Sequence, residues 1–128
     1  MTGAAGTTMV QLSRGAESFG VLHWVAVLLA ATTGVIHLLL GLLSIPEPLG
    51  VAALLAAGGF AGGIVLFTIG FHRRLVLVAA VPYTASQILL WYALNEPTGI
   101  GDVSPLAAFD KVVQLLLIAC VILLYTRE

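Results

Sequence analysis

Apolar and polar positions along this chain fall into long blocks, without the strict alternation of a strand. Val21 to Leu43 holds 23 residues with no acid, lysine or arginine, Leu49 to Phe71 another 23, and Leu75 to Leu94 a further 20. A fourth block runs over 21 residues from Pro105 to Tyr125 and carries charge only at Asp110 and Lys111. An α-helix rises 1.5 Å per residue, so about 20 residues cross a hydrocarbon layer about 30 Å thick. Inside lipid the backbone must satisfy its own hydrogen bonds, which leaves helices or a closed barrel, and unbroken apolar runs are not a barrel pattern. The pattern predicts an all-α fold. It is an antiparallel bundle of four transmembrane helices over about 21–43, 49–71, 75–94 and 105–125, preceded by a flexible tail over residues 1–19.

The segments between the blocks carry stop signals. Ser44-Ile45-Pro46-Glu47-Pro48 places two prolines within three residues, which no helix continues through. His72-Arg73-Arg74 is a minimal turn and makes the second and third helices antiparallel neighbours. Asn95 to Val103 is the longest loop, with Pro97, Gly99 and Gly101, and Ser104-Pro105 reads as an N-cap followed by a first-turn proline. The first block is too long for the apolar region of a signal peptide, and a poor cleavage sequence follows it.

Composition narrows the class. Of 128 residues, 60% are apolar and 9% charged, where soluble domains average about 25% charged. A water-soluble globule of this size could not hide so much apolar surface, which excludes a soluble enzyme and a disordered chain. A net charge of -1 offers no basic patch to nucleic acid. The single cysteine, Cys120, excludes an internal disulfide and a cysteine-based zinc site. With four spans both termini lie on one side, together with Arg14, Glu17, Arg73, Arg74, Arg127 and Glu128; the other side has Glu47, Glu96, Asp102, Asp110 and Lys111. The Lys/Arg asymmetry predicts cytoplasmic termini in a multi-pass protein of the cell membrane. Trp24 and Tyr125 then mark the inner boundary and Trp91 and Tyr92 the outer one.

Small and polar positions predict which faces pack. The first helix has a stripe at helical spacing, His23, Ala26, Ala30, Thr33, His37, Gly41 and Ser44, and small residues permit close helix approach. The second helix concentrates Gly58, Gly59, Gly62 and Gly63 in two overlapping G-x-x-x-G patterns. These glycines, with Gly41, are the expected packing positions, within the bundle or at a homodimer seam. Pro82 is expected to kink the third helix. Tyr83, Gln87 and Trp91 recur beyond it every four residues, and the fourth helix adds Asp110 and Gln114. Counted by depth, His37, Tyr83, Gln87, Asp110 and Gln114 form a candidate polar cluster. Two readings are open for it: interhelical hydrogen bonding that fixes the packing, or a pocket handling an ion, a proton or a small polar ligand. Under the packing reading Asp110 and Lys111 are simply interfacial, with the Lys111 ammonium directed to water. His37 is expected to lie against the third helix, within reach of Gln87 or Gln114.

Other chemistry is sparse. His23 and His37 are 14 residues apart, nearly on one face, a spacing resembling the paired haem ligands of membrane b-type cytochromes. Only His72 is left to supply a second axial ligand, so no cofactor is assigned. No metal-ligand spacing, Walker loop or Ser-His-Asp set is present. Small multidrug exporters of similar size use a glutamate in the first span, and this one has no acid.

The stretches TGVIHLLLG (Thr33 to Gly41), FHRRLV (Phe71 to Val76), LWYALNEP (Leu90 to Pro97) and FDKVVQ (Phe109 to Gln114) resemble a family of small four-span membrane proteins from halophilic archaea. The resemblance covers nearly everything after residue 20 and implies four helices with no assigned activity, substrate or cofactor. The expected function is that of a non-catalytic accessory or structural membrane component. Its partners are the lipid bilayer and a homo-oligomer or larger membrane complex. A small transporter or channel is the alternative, and a haem-binding electron carrier comes third.

Overall fold

The computed structural model describes residues 19–95, 99, 101 and 103–127. The four apolar blocks form four helices, α1 (Val21–Ser44), α2 (Pro48–Thr68), α3 (Arg73–Asn95) and α4 (Pro105–Arg127), with no strand among the described residues. Each is long and apolar enough to cross a membrane, and together they fit multi-pass insertion. The predicted tail over residues 1–19 lies, Phe19 apart, outside the described residues.

Local chemistry sets the helix ends. Glu47 is in the extended conformation and Pro48 opens α2, where a missing N–H costs nothing. The Oγ of Ser104 accepts a hydrogen bond from the Ala107 N–H at 3.1 Å and satisfies one of the orphan donors of α4. α2 stops at Thr68, short of the expected Phe71. Gly70 (φ 76°) and His72 (φ 48°) occupy the left-handed region there and turn the chain out of the helix. α3 continues through Pro82.

The helices form a ring. α1 packs on α2 and on α4, α3 packs on α4, and the α2–α3 pair closes the ring as the loosest seam. The end holding the α2–α3 turn is called here the turn end, and the opposite one the loop end. A core of Ala26, Phe60, Phe67, Leu77, Leu117, Val121 and Leu124 reaches from the middle of the bundle to the turn end. The outer surface is apolar: Leu28 is 67% exposed and Leu55 72%. Exposed apolar area on this scale suits hydrocarbon rather than water. Polar side chains go inside instead, where Thr33, Thr84, Asp110 and Gln114 are all buried.

The glycines divide in a way the spacing did not predict. At Gly41 a Cβ would lie 2.7 Å from Leu54 and 2.9 Å from the Gly50 carbonyl oxygen, so α1 and α2 cross here at close range. At Gly59 a Cβ would overlap the Tyr83 hydroxyl. At Gly58, Gly62 and Gly63 it would meet nothing within 4 Å. Those three are therefore not close-packing positions within the chain. The tight α1–α2 crossing is at Gly41 and Gly50, nearer the loop end, and farther along α2 the helix faces α3 across a gap.

Gly41→Ala is expected to lower stability by about 1–3 kcal/mol, the usual cost of overpacking. Gly62→Ala is expected to be neutral or to stabilise by up to about 1 kcal/mol through helix propensity. Thermal unfolding of the two variants in detergent checks the contrast. A larger loss at Gly62 would contradict the open face.

Candidate functional site

Four buried or half-buried polar side chains meet where α1 and α4 cross. The Thr33 hydroxyl donates to Asp110 Oδ1 at 2.6 Å, the shortest link between these helices. Lys111 Nζ donates to Asp110 Oδ2 at 3.0 Å and to Gln114 Oε1 at 2.8 Å. Adjacent residues on a helix do not face one another, but a lysine stem is long enough to sweep back to its neighbour, and Gln114 lies three residues on, where helix side chains meet. The ammonium also stands 5.4 Å above the Trp91 ring of α3, a cation–π contact that draws a third helix into the cluster.

The bundle removes this ion pair from its surroundings. The side chains of Asp110 and Lys111 are 6% and 14% exposed. An ion in a low-dielectric interior carries a desolvation cost of several kcal/mol, offset only when its partners are close and its remaining donors and acceptors are filled. Both Asp110 oxygens are engaged. The remaining deficit is Gln114 Nε2, a fully buried amide nitrogen without a hydrogen-bond partner.

The depth differs from a count along α4 alone. Asp110 lies five residues, roughly 7.5 Å, inside the start of its helix, whereas its partner Thr33 is 11 residues, roughly 16 Å, from the loop end of α1. α4 therefore starts deeper than α1 ends, and the ion pair sits level with the middle of α1. Lys111 accordingly turns its ammonium into the helix crossing.

Of the predicted cluster, the structure joins Asp110 and Gln114, through Lys111. His37 stands at its edge. Its Nδ1 donates to the Thr33 carbonyl at 2.8 Å, with the Thr33 hydroxyl oxygen 3.4 Å away. Its ring packs 5.8 Å from Phe60 of α2, whose own ring meets Tyr83 of α3, and among the described residues it makes no hydrogen bond to Gln87 or Gln114. Tyr83 is separate: its hydroxyl donates to the Ala56 carbonyl at 2.8 Å and its ring meets Phe60 edge-on at 5.1 Å. Gln87 is half-buried and makes no hydrogen bond to the cluster among the described residues.

Thr33 and Lys111 are the members that spacing did not bring together. The signal for Thr33 was its place in the small-residue stripe, one turn before His37. The other histidines lie in aromatic contacts. His23 stacks on Phe19 at 4.9 Å and faces Phe67 at 5.8 Å, and His72 meets Phe71 at 4.3 Å. Among the described residues no group of three or more His, Cys, Asp or Glu could hold a metal ion.

Removing one partner of the ion pair leaves the other uncompensated, at about 3–5 kcal/mol for a fully buried pair. Lys111 can straighten toward the loop end, so Asp110→Ala is expected at the lower limit, about 3 kcal/mol. The double variant Asp110→Leu with Lys111→Met is expected to lose less than Asp110→Ala alone, because no charge is left buried. Thr33→Val is expected to cost about 1 kcal/mol. Denaturant titration in mixed micelles measures all three, and a double variant worse than the single would show that the pair contributes net stability.

No curated protein and no solved structure matches the chain. A family model described as a family of unknown function, DUF7475, matches residues 7–125. With the match running over all four helices, the chain belongs to the DUF7475 family.

Proposed function

We propose that the chain is a non-catalytic structural or accessory component of the membrane, in which the Thr33–Asp110–Lys111–Gln114 cluster fastens α1 to α4. One observation carries this reading: the carboxylate is consumed within the bundle, one oxygen by Thr33 at 2.6 Å and the other by Lys111 at 3.0 Å. A carboxylate that binds passing cations or protons needs an open approach, and the Asp110 side chain is 6% exposed with a donor already on each oxygen. Partner subunits, a homo-oligomer or a larger membrane complex, supply the context in which such a component acts. The Lys/Arg asymmetry supports cytoplasmic termini and insertion in the cell membrane. The four stretches resembling proteins of halophilic archaea, with one lysine against four arginines, support that origin.

A small transporter or channel is the second reading. The observation in its favour is the unpartnered Gln114 Nε2, a fully buried donor that a solvent or solute oxygen would satisfy.

Proteoliposomes separate the two. Under the structural reading, vesicles carrying the protein leak protons and small ions no faster than protein-free vesicles, and His37→Gln and Gln114→Leu change only stability. Proton-linked flux in the wild type that is lost in a folded His37→Gln variant would establish the pathway instead. The orientation has its own check, labelling of cysteines placed at Thr2 and Thr98 in a Cys120→Ala background. Only the Thr98 position is expected to react from outside, and external labelling at Thr2 would reverse the topology.

A further inference from the structure

A histidine caps the first turn of α1. Gly20 precedes the helix in an extended conformation and has no side chain to offer the orphan N–H groups there. His23, at the third helical position, reaches back instead, and its Nδ1 accepts a hydrogen bond from the Gly20 N–H at 3.1 Å. The side chains that ordinarily reach back from this position are those of Glu and Gln. An imidazole accepts there only while neutral, with its proton on Nε2. The cation carries a proton on both nitrogens and accepts on neither.

The bond lies next to a side chain that joins three helices. Phe19 comes just before Gly20, and its ring stacks on His23 at 4.9 Å and meets Phe67 of α2 at 5.2 Å. The Arg73 guanidinium of α3 stands 4.8 Å over Phe19 and 5.4 Å over Phe67. Its Nε donates to the Phe67 carbonyl at 2.9 Å. The His23 ring also faces Phe67, at 5.8 Å. The Gly20–His23 bond therefore holds the chain where it enters the bundle, and with it the ring that ties α1 to the α2–α3 turn.

The surrounding charges set where on the pH scale His23 changes state, and not what the change does. Arg73 shares both of its phenyl neighbours, and Arg127 of α4 lines the same surface hollow as Gly20 and His23. Arg74 lies on Tyr125, and His72 on Phe71. Arg14, Glu17 and Glu128 belong to this end by sequence and lie outside the described residues. Whatever the balance of these groups, a proton on Nδ1 removes the acceptor of the Gly20 N–H.

We propose that His23 is a pH-sensitive latch on the entry to α1. Neutral, it holds the Gly20 N–H and keeps Phe19 seated on Phe67; protonated, it releases both. The latch is independent of the Asp110 cluster and of what that cluster does.

Nuclear magnetic resonance of the full-length protein in micelles tests this. The Gly20 amide is followed from about pH 8 to about pH 5, the span in which histidine ordinarily changes charge. In wild type its proton is expected to move upfield with the same midpoint as the His23 ring. Its protection against exchange, corrected for the intrinsic pH dependence, is expected to fall about fivefold, the loss of one hydrogen bond of ordinary strength. Overhauser contacts between the Phe19 and Phe67 rings are expected to weaken over the same range. His23→Gln supplies an acceptor that does not titrate and is expected to keep the bonded signal at every pH. His23→Leu is expected to show the released signal throughout; if it fails to fold, the His23→Gln comparison decides. Glu17→Gln is expected to leave the Gly20 and His23 signals coupled, wherever their shared midpoint falls. A Gly20 amide that ignores the His23 titration would overturn the proposal, as would one that still follows pH in His23→Gln. A shift without loss of protection would mean that the amide senses only the charge, and would overturn it equally.

Discussion

Asp110 places a carboxylate among apolar helices, and the way it is satisfied constrains everything around it. One oxygen takes the Thr33 hydroxyl from α1, and the other takes the Lys111 ammonium from its own helix. The first bond fixes how far α4 is displaced along α1. The second bends the lysine back over the helix, where it also holds Gln114 and meets Trp91. Helices in lipid gain little from hiding apolar side chains from one another, because the surrounding tails are equally apolar. A polar link between α1 and α4 therefore specifies register that hydrophobic packing leaves undetermined.

The two ends of the bundle are built differently as a consequence. Toward the loop end, Gly41 and Gly50 bring α1 and α2 into backbone contact, and the polar cluster ties α1 to α4. Toward the turn end, cations over rings hold the helices: Arg73 over Phe19 and Phe67, and Arg74 over Tyr125, whose hydroxyl it also bonds at 3.1 Å. These contacts anchor α3 at its first turn. Tyr83, bonded to Ala56, anchors it again midway. Between the two anchors, small residues face each other across α2 and α3 without touching, and the gap is the space they leave.

His37 borders the polar cluster through Thr33. Its ring bonds the Thr33 carbonyl, one helical turn back, while the Thr33 hydroxyl is committed to Asp110. The imidazole thus borders the cluster and leans on Phe60 rather than continuing toward Gln87. Gln114 Nε2 keeps an open donor on the other side. Histidine and open donor flank the ion pair, one on each side.

The sequence by itself determined the class of this protein and the number of its helices. Uncharged runs of 20 residues or more admit no other backbone solution in lipid, and Pro46, Pro48, Ser104 and Pro105 act locally on the helix ends. It also placed Asp110 and Gln114 in one polar layer, since residues four apart share a helix face. The tertiary structure alone decided the partners. Thr33 bonds Asp110 because α4 starts deeper than α1 ends, an offset set by how two helices slide past one another and encoded in neither. Lys111 turned inward because its stem is flexible, and helical periodicity fixes a Cβ direction but not where four methylenes lead. The glycines of α2 mark both a tight contact, at Gly59, and open space, at Gly58, Gly62 and Gly63. A missing side chain permits close approach, but only the neighbouring helix determines whether that approach takes place.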